Sequence, residues 1–487
     1  MPLTWTGVLD ELRRADLLIS APSSAPDPTG IGVDSRSVER GMLYIAVRGS
    51  QADGHRFVPQ AISRGAGAIL VETPQGSSAT AEILVRDSRR AALALGAAWF
   101  GNPGRDLTLV GVTGTNGKTT TTGLLRHLFN GSKAAGSIGT LGAFDGAGEP
   151  VTSTAGSLTT PGPIDLQATL AAMVQRRVSH VVMEASSHSL DQGRLDGLAF
   201  AAGVFTNLTR DHLDYHGTME TYLSAKLRLS ALLRLGGLEV VNLDEQAWQV
   251  MPLRTPRLTF GEHAAADVRA TDIVLDAAGS RFLLSGQFGR VEASLPLLGD
   301  FNVSNALAAA ATALGLGRPL NEVIERLAAA PQVPGRMERI AERPCIVLRD
   351  YAHTPDALER ALTSLRPLTR GRLIVVFGCG GDRDKGKRPI MGRIAAELSD
   401  LAIATSDNPR TEDPDAIIDD IEQGMGGMAH LRIPDRLAAI HAALNDARPD
   451  DTVLLAGKGH ETYQVIGTEK LPFDERELVQ QAVHRGN

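Results

Sequence analysis

Cysteine is nearly absent from this chain: Cys345 and Cys379 are the two in 487 residues. Two thiols cannot build a disulfide framework or a cysteine-rich zinc site, and their scarcity suits a reducing compartment. Positive charge is also short. Lys and Arg number 49 against 56 Asp and Glu, a formal net charge of −7. That excludes a general nucleic-acid binder, because phosphate neutralisation needs a basic face. A small anionic substrate needs only a few local cations and is not excluded. Long apolar runs are missing too, so nothing reads as a membrane span. The first residues, Met1 to Arg14, carry charges where a signal peptide would be apolar. The expectation is a soluble, cytoplasmic protein that avoids membranes and nucleic acid. The 43% hydrophobic and 22% charged residues are ordinary for globular domains, and the length suits about three of them.

Short apolar runs alternate with helical patterns throughout. Met42–Val47, Gly67–Val71 and Ile83–Val85 read as strands of a small α/β unit, followed by a turn-rich linker, Gly101-Asn-Pro-Gly-Arg105. Val178–Met183 and Phe200–Phe205 read as buried parallel strands ending in polar residues, the edge where ligands gather. Pro331-Gln-Val-Pro-Gly335 reads as a second boundary. Beyond it, Cys345–Leu348, Leu373–Phe377, Leu401–Ala404 and Thr452–Leu455 alternate with amphipathic helices. The sequence thus predicts three α/β domains over residues 1–103, 104–333 and 334–487. The first is small, the second P-loop ATPase-like with a mostly parallel sheet, and the third Rossmann-like.

The densest chemical signal is Gly111-Val-Thr-Gly-Thr-Asn-Gly-Lys-Thr-Thr120, set between an apolar strand and a helical segment. Glycines let backbone approach an anion, free N–H groups at a helix start point at it, and the helix dipole favours negative charge. Gly114, Thr115, Asn116, Gly117, Lys118, Thr119 and Thr120 form this phosphate cradle. Lys118 would add a charge at the outer phosphates, and the Thr119 hydroxyl a magnesium ligand. The spacing is unusual, with five residues rather than four between Gly111 and Gly117.

Glu184, at the tip of a strand, suits a magnesium ligand facing phosphates or a solvated glutamate. Asp211, His212, Asp214 and His216 crowd into six residues. There His212 suits a magnesium shell, and Asp211 an ordinary helix cap. Lys226 falls in a helix pattern where a solvated lysine is the default. Near the C-terminus, four polar loops follow successive strands: Asp350–Asp356, Gly378–Arg388, Asp407-Asn-Pro-Arg410 and Gly457-Lys-Gly-His-Glu461. In a doubly wound sheet they share one edge and suit a small zwitterion. Arg383 and Arg410 would take a carboxylate and Glu461 an ammonium.

Together these residues resemble the Mur ligases, the ATP-dependent amino-acid-adding enzymes of peptidoglycan synthesis, from about residue 30 to residue 470. Gly-Thr-Asn-Gly-Lys-Thr is that family's version of the P-loop. Leu298-Gly-Asp-Phe-Asn-Val-Ser-Asn305 and Pro334-Gly-Arg-Met337 resemble its adenine and hinge motifs. Asp407-Asn-Pro-Arg410 resembles the signature of members that add meso-2,6-diaminopimelate to UDP-N-acetylmuramoyl-L-alanyl-D-glutamate, whereas lysine-adding relatives replace the arginine.

The resemblance implies roles residue by residue. Val33, Ser35, Ser50, Gln51 and Ala52 would hold the uridine nucleotide, although the family often has histidine where Ser50 stands. Thr159, Thr160, Ser186, Gln192 and Arg194 would bind the muramoyl-dipeptide. Asn302, Arg336 and His353 would join the P-loop on ATP. Arg383, Asp407, Asn408, Pro409, Arg410, Gly457 and Glu461 would bind diaminopimelate. Lys226 matches a lysine carbamylated in the family, which would hold Mg2+ with Thr119, Glu184 and His212. Lys118, Glu184, His212 and Lys226 would carry the chemistry, in a monomer. A folylpolyglutamate synthase or lysine-adding relative is disfavoured by the Asp407–Arg410 and Val33–Arg36 motifs. A P-loop switch or motor would instead hydrolyse ATP without an amine acceptor. A pseudoenzyme is disfavoured by the four intact residues of the chemical set.

Overall fold

The computed structural model describes all residues but 1–2, 50–51, 77–79, 132–133, 152–157 and 486–487, with backbone alone at 485. The chain divides into two compact units, Met1–Leu258 and Thr259–Asn487. Among the described residues no helix is long and apolar enough to cross a membrane.

The first unit begins with helix Trp5–Arg14, capped by the Thr4 hydroxyl and burying Trp5, Val8, Leu9 and Leu12. That i, i+3, i+4, i+7 stripe is what a helix lays on a sheet. It packs with helix Ser88–Trp99 over a five-stranded sheet. Strand order there is Leu18–Ser20, Ala81–Val85, Ala68–Val71, Leu43–Ile45, Ile31–Gly32. The last four strands are parallel.

A larger sheet follows, with neighbours in the order Leu233–Asn242, Phe200–Phe205, Thr108–Thr113, Val178–Glu184, Ala134–Gly139, Gly142–Phe144. The first five run parallel and the last closes an antiparallel hairpin. Phe200–Phe205 is buried at every position, as expected for a strand covered on both faces. Because Thr108–Thr113 lies between Phe200–Phe205 and Val178–Glu184, the P-loop emerges between Thr206 and Glu184.

The second unit opens with three antiparallel strands, Val268–Asp276, Gly279–Gly286 and Gly289–Leu295. Their burial alternates in and out, a half-solvated pattern unlike the continuous apolar runs of the parallel strands. Helices Asp300–Gly315 and Leu320–Ala328 lead to a six-stranded sheet. Its order is Glu338–Ala341, Ile346–Asp350, Thr452–Ala456, Leu373–Phe377, Leu401–Ala404, His430–Arg432. All but Glu338–Ala341 are parallel, so four strand-end loops are neighbours on the carboxyl edge.

Beneath that edge Arg436 and Glu475 form an ion pair at 2.8 Å with neither side chain exposed. Arg436 also donates to the Ala456 carbonyl at 2.9 Å, anchoring the C-terminal helix Glu475–Arg485 to the sheet. Breaking such a pair strands a buried charge. Arg436→Met is expected to cost about 3–5 kcal/mol, read as a lower denaturant midpoint. A loss below about 1 kcal/mol, typical of a surface pair, would refute this.

Candidate active site

The P-loop is held from behind by the segment after strand Phe200–Phe205. Thr115 N donates to Asn207 O at 2.8 Å, and Asn116 N to the Asn207 side-chain oxygen at 2.8 Å. Thr206 Oγ1 donates to Asn116 O at 2.7 Å. Gly114 has φ +150°, and a Cβ there would lie 1.9 Å from Thr206 Oγ1. This is why the position takes no side chain. Gly117, in the left-handed region, starts helix Lys118–Phe129 without a side-chain cap, and the N–H groups of a helix start favour an anion. Thr119 and Thr120 are buried in that first turn.

Lys118 Nζ donates to Gly114 O at 2.9 Å and to Thr115 O at 2.7 Å. Lys226 Nζ reaches the same Gly114 oxygen at 2.7 Å. Contrary to the solvated default, Lys226 is 1% exposed. Burial, then the Lys118 charge, hold its ammonium well below the ordinary value. The Tyr222 ring lies 4.2 Å from Lys226 Nζ, and its hydroxyl 3.2 Å from Thr115 Oγ1.

Glu184 is 1% exposed, so the reading as a solvated glutamate fails. Its two oxygens accept from Thr140 N at 2.9 Å and Thr140 Oγ1 at 3.0 Å. His212, not Asp211, takes the cap position of the one-turn helix Leu213–His216, at φ +53°. Asp211 Oδ1 accepts from His212 N at 2.8 Å. The His212 ring stands edge-on to His188 at 4.7 Å, and His188 packs on Tyr215 at 4.2 Å and His216 at 5.4 Å. Burial, chiefly, pushes His188 down to about 4. It also lowers His212, helped by Lys118 and Lys226 and opposed by Asp211.

The residues expected on the muramoyl-dipeptide converge. Thr160 Oγ1 donates to Glu184 O at 2.7 Å, and Arg194 Nη1 to Thr160 O at 3.0 Å. Arg194 also grips Gln192 Oε1, at 3.0 and 2.6 Å. Ser186 caps helix Ser187–Asp191, and Thr159 Oγ1 lies 3.3 Å from Thr140 Oγ1. Of the uridine set, Ser35 is buried and donates to Gln60 at 2.8 Å. Val33 packs on the core of the small sheet, and Ala52 O accepts from Gly49 N at 2.9 Å. Ser50 and Gln51 lie outside the described residues.

In the second unit the strand-end loops meet as expected. Asn408 Nδ2 donates to Glu461 Oε2 at 2.8 Å, and Gly381 N to Asn408 O at 2.9 Å. Arg410, at φ +51°, donates to Gly381 O at 2.8 Å. Pro409 is buried. Gly457 has φ +114°, and a Cβ there would lie 2.9 Å from Asp407 Oδ2. Arg383 is exposed and donates to the adjacent Asp382 carbonyl at 3.1 Å, and its side chain and that of Arg410 flank Gly380.

Arg336 lies over the Tyr351 ring at 4.8 Å, and the His353 and His460 rings lie 4.5 and 5.3 Å from Tyr351. Burial pushes Asp350 up to about 6 against the nearby Arg336 charge and His460 down to about 4. Asn302 is 1% exposed and donates to Leu298 O at 2.7 Å.

Sequence reasoning passed over Tyr222, His188 and Lys458. Tyr222 precedes Lys226 by four residues and so shares its helix face. His188 follows Ser186 within one helical turn. Lys458 sits among the binding residues of its own loop. Among the described residues no three His, Cys, Asp or Glu side chains gather as a preformed metal site. The donors present, one buried carboxylate and one hydroxyl, suit Mg2+, which keeps waters and takes substrate phosphates as ligands.

Comparison with known proteins bears on the chain as a whole. Three family models match: "Mur ligase family, catalytic domain" at residues 28–99, "Mur ligase middle domain" at 112–313, and "Mur ligase, glutamate ligase domain" at 335–459. A Synechococcus elongatus protein named UDP-N-acetylmuramoyl-L-alanyl-D-glutamate–2,6-diaminopimelate ligase is 43% identical, covering 96% of this chain and 98% of its own. A Gloeobacter violaceus protein of the same name is 44% identical, covering 94% of each chain. A solved structure described by that name matches with a TM-score of 0.67 at 34% identity, covering 100% of this chain and 99% of its own.

Proposed function

The chain belongs to the Mur ligase family, and on that premise we propose that it is the ATP-dependent ligase adding meso-2,6-diaminopimelate to UDP-N-acetylmuramoyl-L-alanyl-D-glutamate. The product is a cytoplasmic peptidoglycan precursor. The observation that carries the catalytic reading is the shared Gly114 carbonyl, which puts a P-loop lysine and a buried lysine side by side. Three domains, over residues 1–103, 104–333 and 334–487, would take nucleotide-sugar, ATP and amino acid in turn, in a monomeric enzyme.

A carboxylate is a poor electrophile, and phosphorylation splits one difficult step into two easier ones. In the first step the D-glutamyl γ-carboxylate attacks the γ-phosphate of ATP, giving an acyl phosphate and ADP. In the second the diaminopimelate amine, in its neutral form, attacks the acyl carbon, and phosphate leaves from a tetrahedral intermediate. The P-loop N–H groups cradle the phosphates, and Lys118 swings from its loop carbonyls to the transferred group. Arg194, Thr160 and Ser186 orient the dipeptide carboxylate, and Asn302, Arg336 and His353 hold the nucleotide.

The neutral amine is the form that adds carbon dioxide, and burial that holds the Lys226 ammonium well below its ordinary value favours that form, which supports carbamylation. The carbamate converts a base into a two-oxygen anion. Thr119, Glu184, His212 and that carbamate would hold Mg2+. When bound, it neutralises charge on the phosphoryl oxygens. Arg410 takes the distal carboxylate of diaminopimelate while Asp407, Asn408, Gly457 and Glu461 hold its ammonium.

The test is phosphate release from ATP and Mg2+ with the UDP-dipeptide, comparing meso-diaminopimelate with L-lysine. Release with diaminopimelate alone supports the whole reading. Release with lysine overturns the specificity, and release that needs neither amine overturns the ligase.

A further inference from the structure

Lys458 follows the strand Thr452–Ala456 and is 0% exposed. Its ammonium lies 3.2 Å from Asn408 Oδ1, 3.3 Å from Glu461 Oε2 and 3.7 Å from Asp407 Oδ1. Asp407 Oδ1 is itself buried and makes no hydrogen bond, among the described residues. One buried cation therefore sits between the two carboxylates that an incoming ammonium would need. Arg410, whose guanidinium donates to Gly381 O in the neighbouring loop, supplies a second fixed positive charge.

We propose that Lys458 is a specificity-determining residue that excludes amino acids with a purely cationic side-chain end. The proposal rests on the ligase reading given above. The distal end of diaminopimelate brings a carboxylate and an ammonium together and is net neutral. Its ammonium shares Asp407 and Glu461 with Lys458 because its carboxylate offsets Arg410. The lysine side chain brings an ammonium alone. It meets the same two carboxylates, already part-neutralised by Lys458, and leaves Arg410 uncompensated. Like charge in a partly desolvated site is a repulsive device against the wrong substrate, acting beside the attraction of Arg410 for the right one.

The experiment measures kcat/KM for meso-diaminopimelate and for L-lysine in the wild type, Lys458→Gln, Lys458→Arg and Lys458→Gln/Glu461→Gln, with thermal unfolding of each. Lys458→Gln is expected to lower the preference for diaminopimelate by about tenfold or more, the effect of one lost charge contact. The double variant removes an ammonium ligand as well, and should lower kcat/KM for diaminopimelate below that of Lys458→Gln. Lys458→Arg keeps the charge and should keep the discrimination, which leaves a test if the glutamine variant does not fold. Equal losses with both amines in Lys458→Gln would show a merely structural lysine and overturn the proposal, as would lost discrimination in a folded Lys458→Arg. A wild type that ignores both amines fails the ligase reading instead, whereas one that uses lysine as well as diaminopimelate keeps the ligase and overturns the proposal.

Discussion

Lys226→Ala loses ligase activity by on the order of 10³-fold or more in kcat, as expected when a preorganised charge is removed from the reacting centre. The chain stays folded, because the deleted side chain makes one hydrogen bond, to Gly114 O, and packs on one ring, Tyr222. Short carboxylic acids restore part of the activity by supplying the two oxygens that the carbamate would carry. A lysine acting as a cation would be rescued by amines instead, so the chemical identity of the rescuing additive separates the roles. The wild type should also lose activity when carbon dioxide and bicarbonate are stripped from the buffer, and 13C-labelled bicarbonate should give a carbamate resonance that Lys226→Ala lacks. Full activity in the alanine variant would end the assignment.

Arg410→Ala should lower kcat/KM for diaminopimelate by about 10⁴-fold, the lower end of the range over which a site built for a polar group rejects a substrate that cannot pair with it. Here the deficit is created on the protein side. The KM for ATP should hardly move, because Arg410 belongs to the loop after strand Leu401–Ala404 and makes no part of the P-loop. Alanine pays the same left-handed backbone cost as arginine at φ +51°, so the loop keeps its course. An unchanged KM for diaminopimelate would remove Arg410 from the carboxylate-binding role.

Strand-end placement made much of this legible beforehand. The apolar runs before the P-loop, before Asp407 and before Gly457 fall in parallel strands, and loops at their carboxyl ends gather by topology alone. Lys226 shows what local patterning hides. On helix Met219–Ala231 the buried residues are Tyr222, Ala225, Lys226 and Leu229, an i, i+3, i+4, i+7 stripe that includes the lysine. A helix pattern with three of those positions apolar gives a fourth, charged one no reason to be buried. The reason is non-local, since its partner Gly114 lies 112 residues away in sequence. The alternating strands between Val268 and Leu295 escaped because half of each faces solvent. The alternative of a solvated Glu184 failed for a non-local cause, since its partner is Thr140, whereas that of Asp211 as a cap failed locally, because the cap position falls one residue later, at His212.

The Asp407–Arg410 loop is laced to the hairpin Tyr463–Ile466 and Glu469–Pro472. Gln464 Nε2 donates to Asp407 O at 2.6 Å, and Val465 N to Asn408 Oδ1 at 2.9 Å. Arg410 N donates to Val465 O at 3.0 Å and Gly467 N to Arg410 O at 2.7 Å. The loop is therefore held in place by a stretch of chain more than fifty residues further on. Two of these bonds run between main chains and survive any exchange of side chains, whereas the other two depend on Gln464 and Asn408. The four-residue motif is the visible half of a larger structural unit.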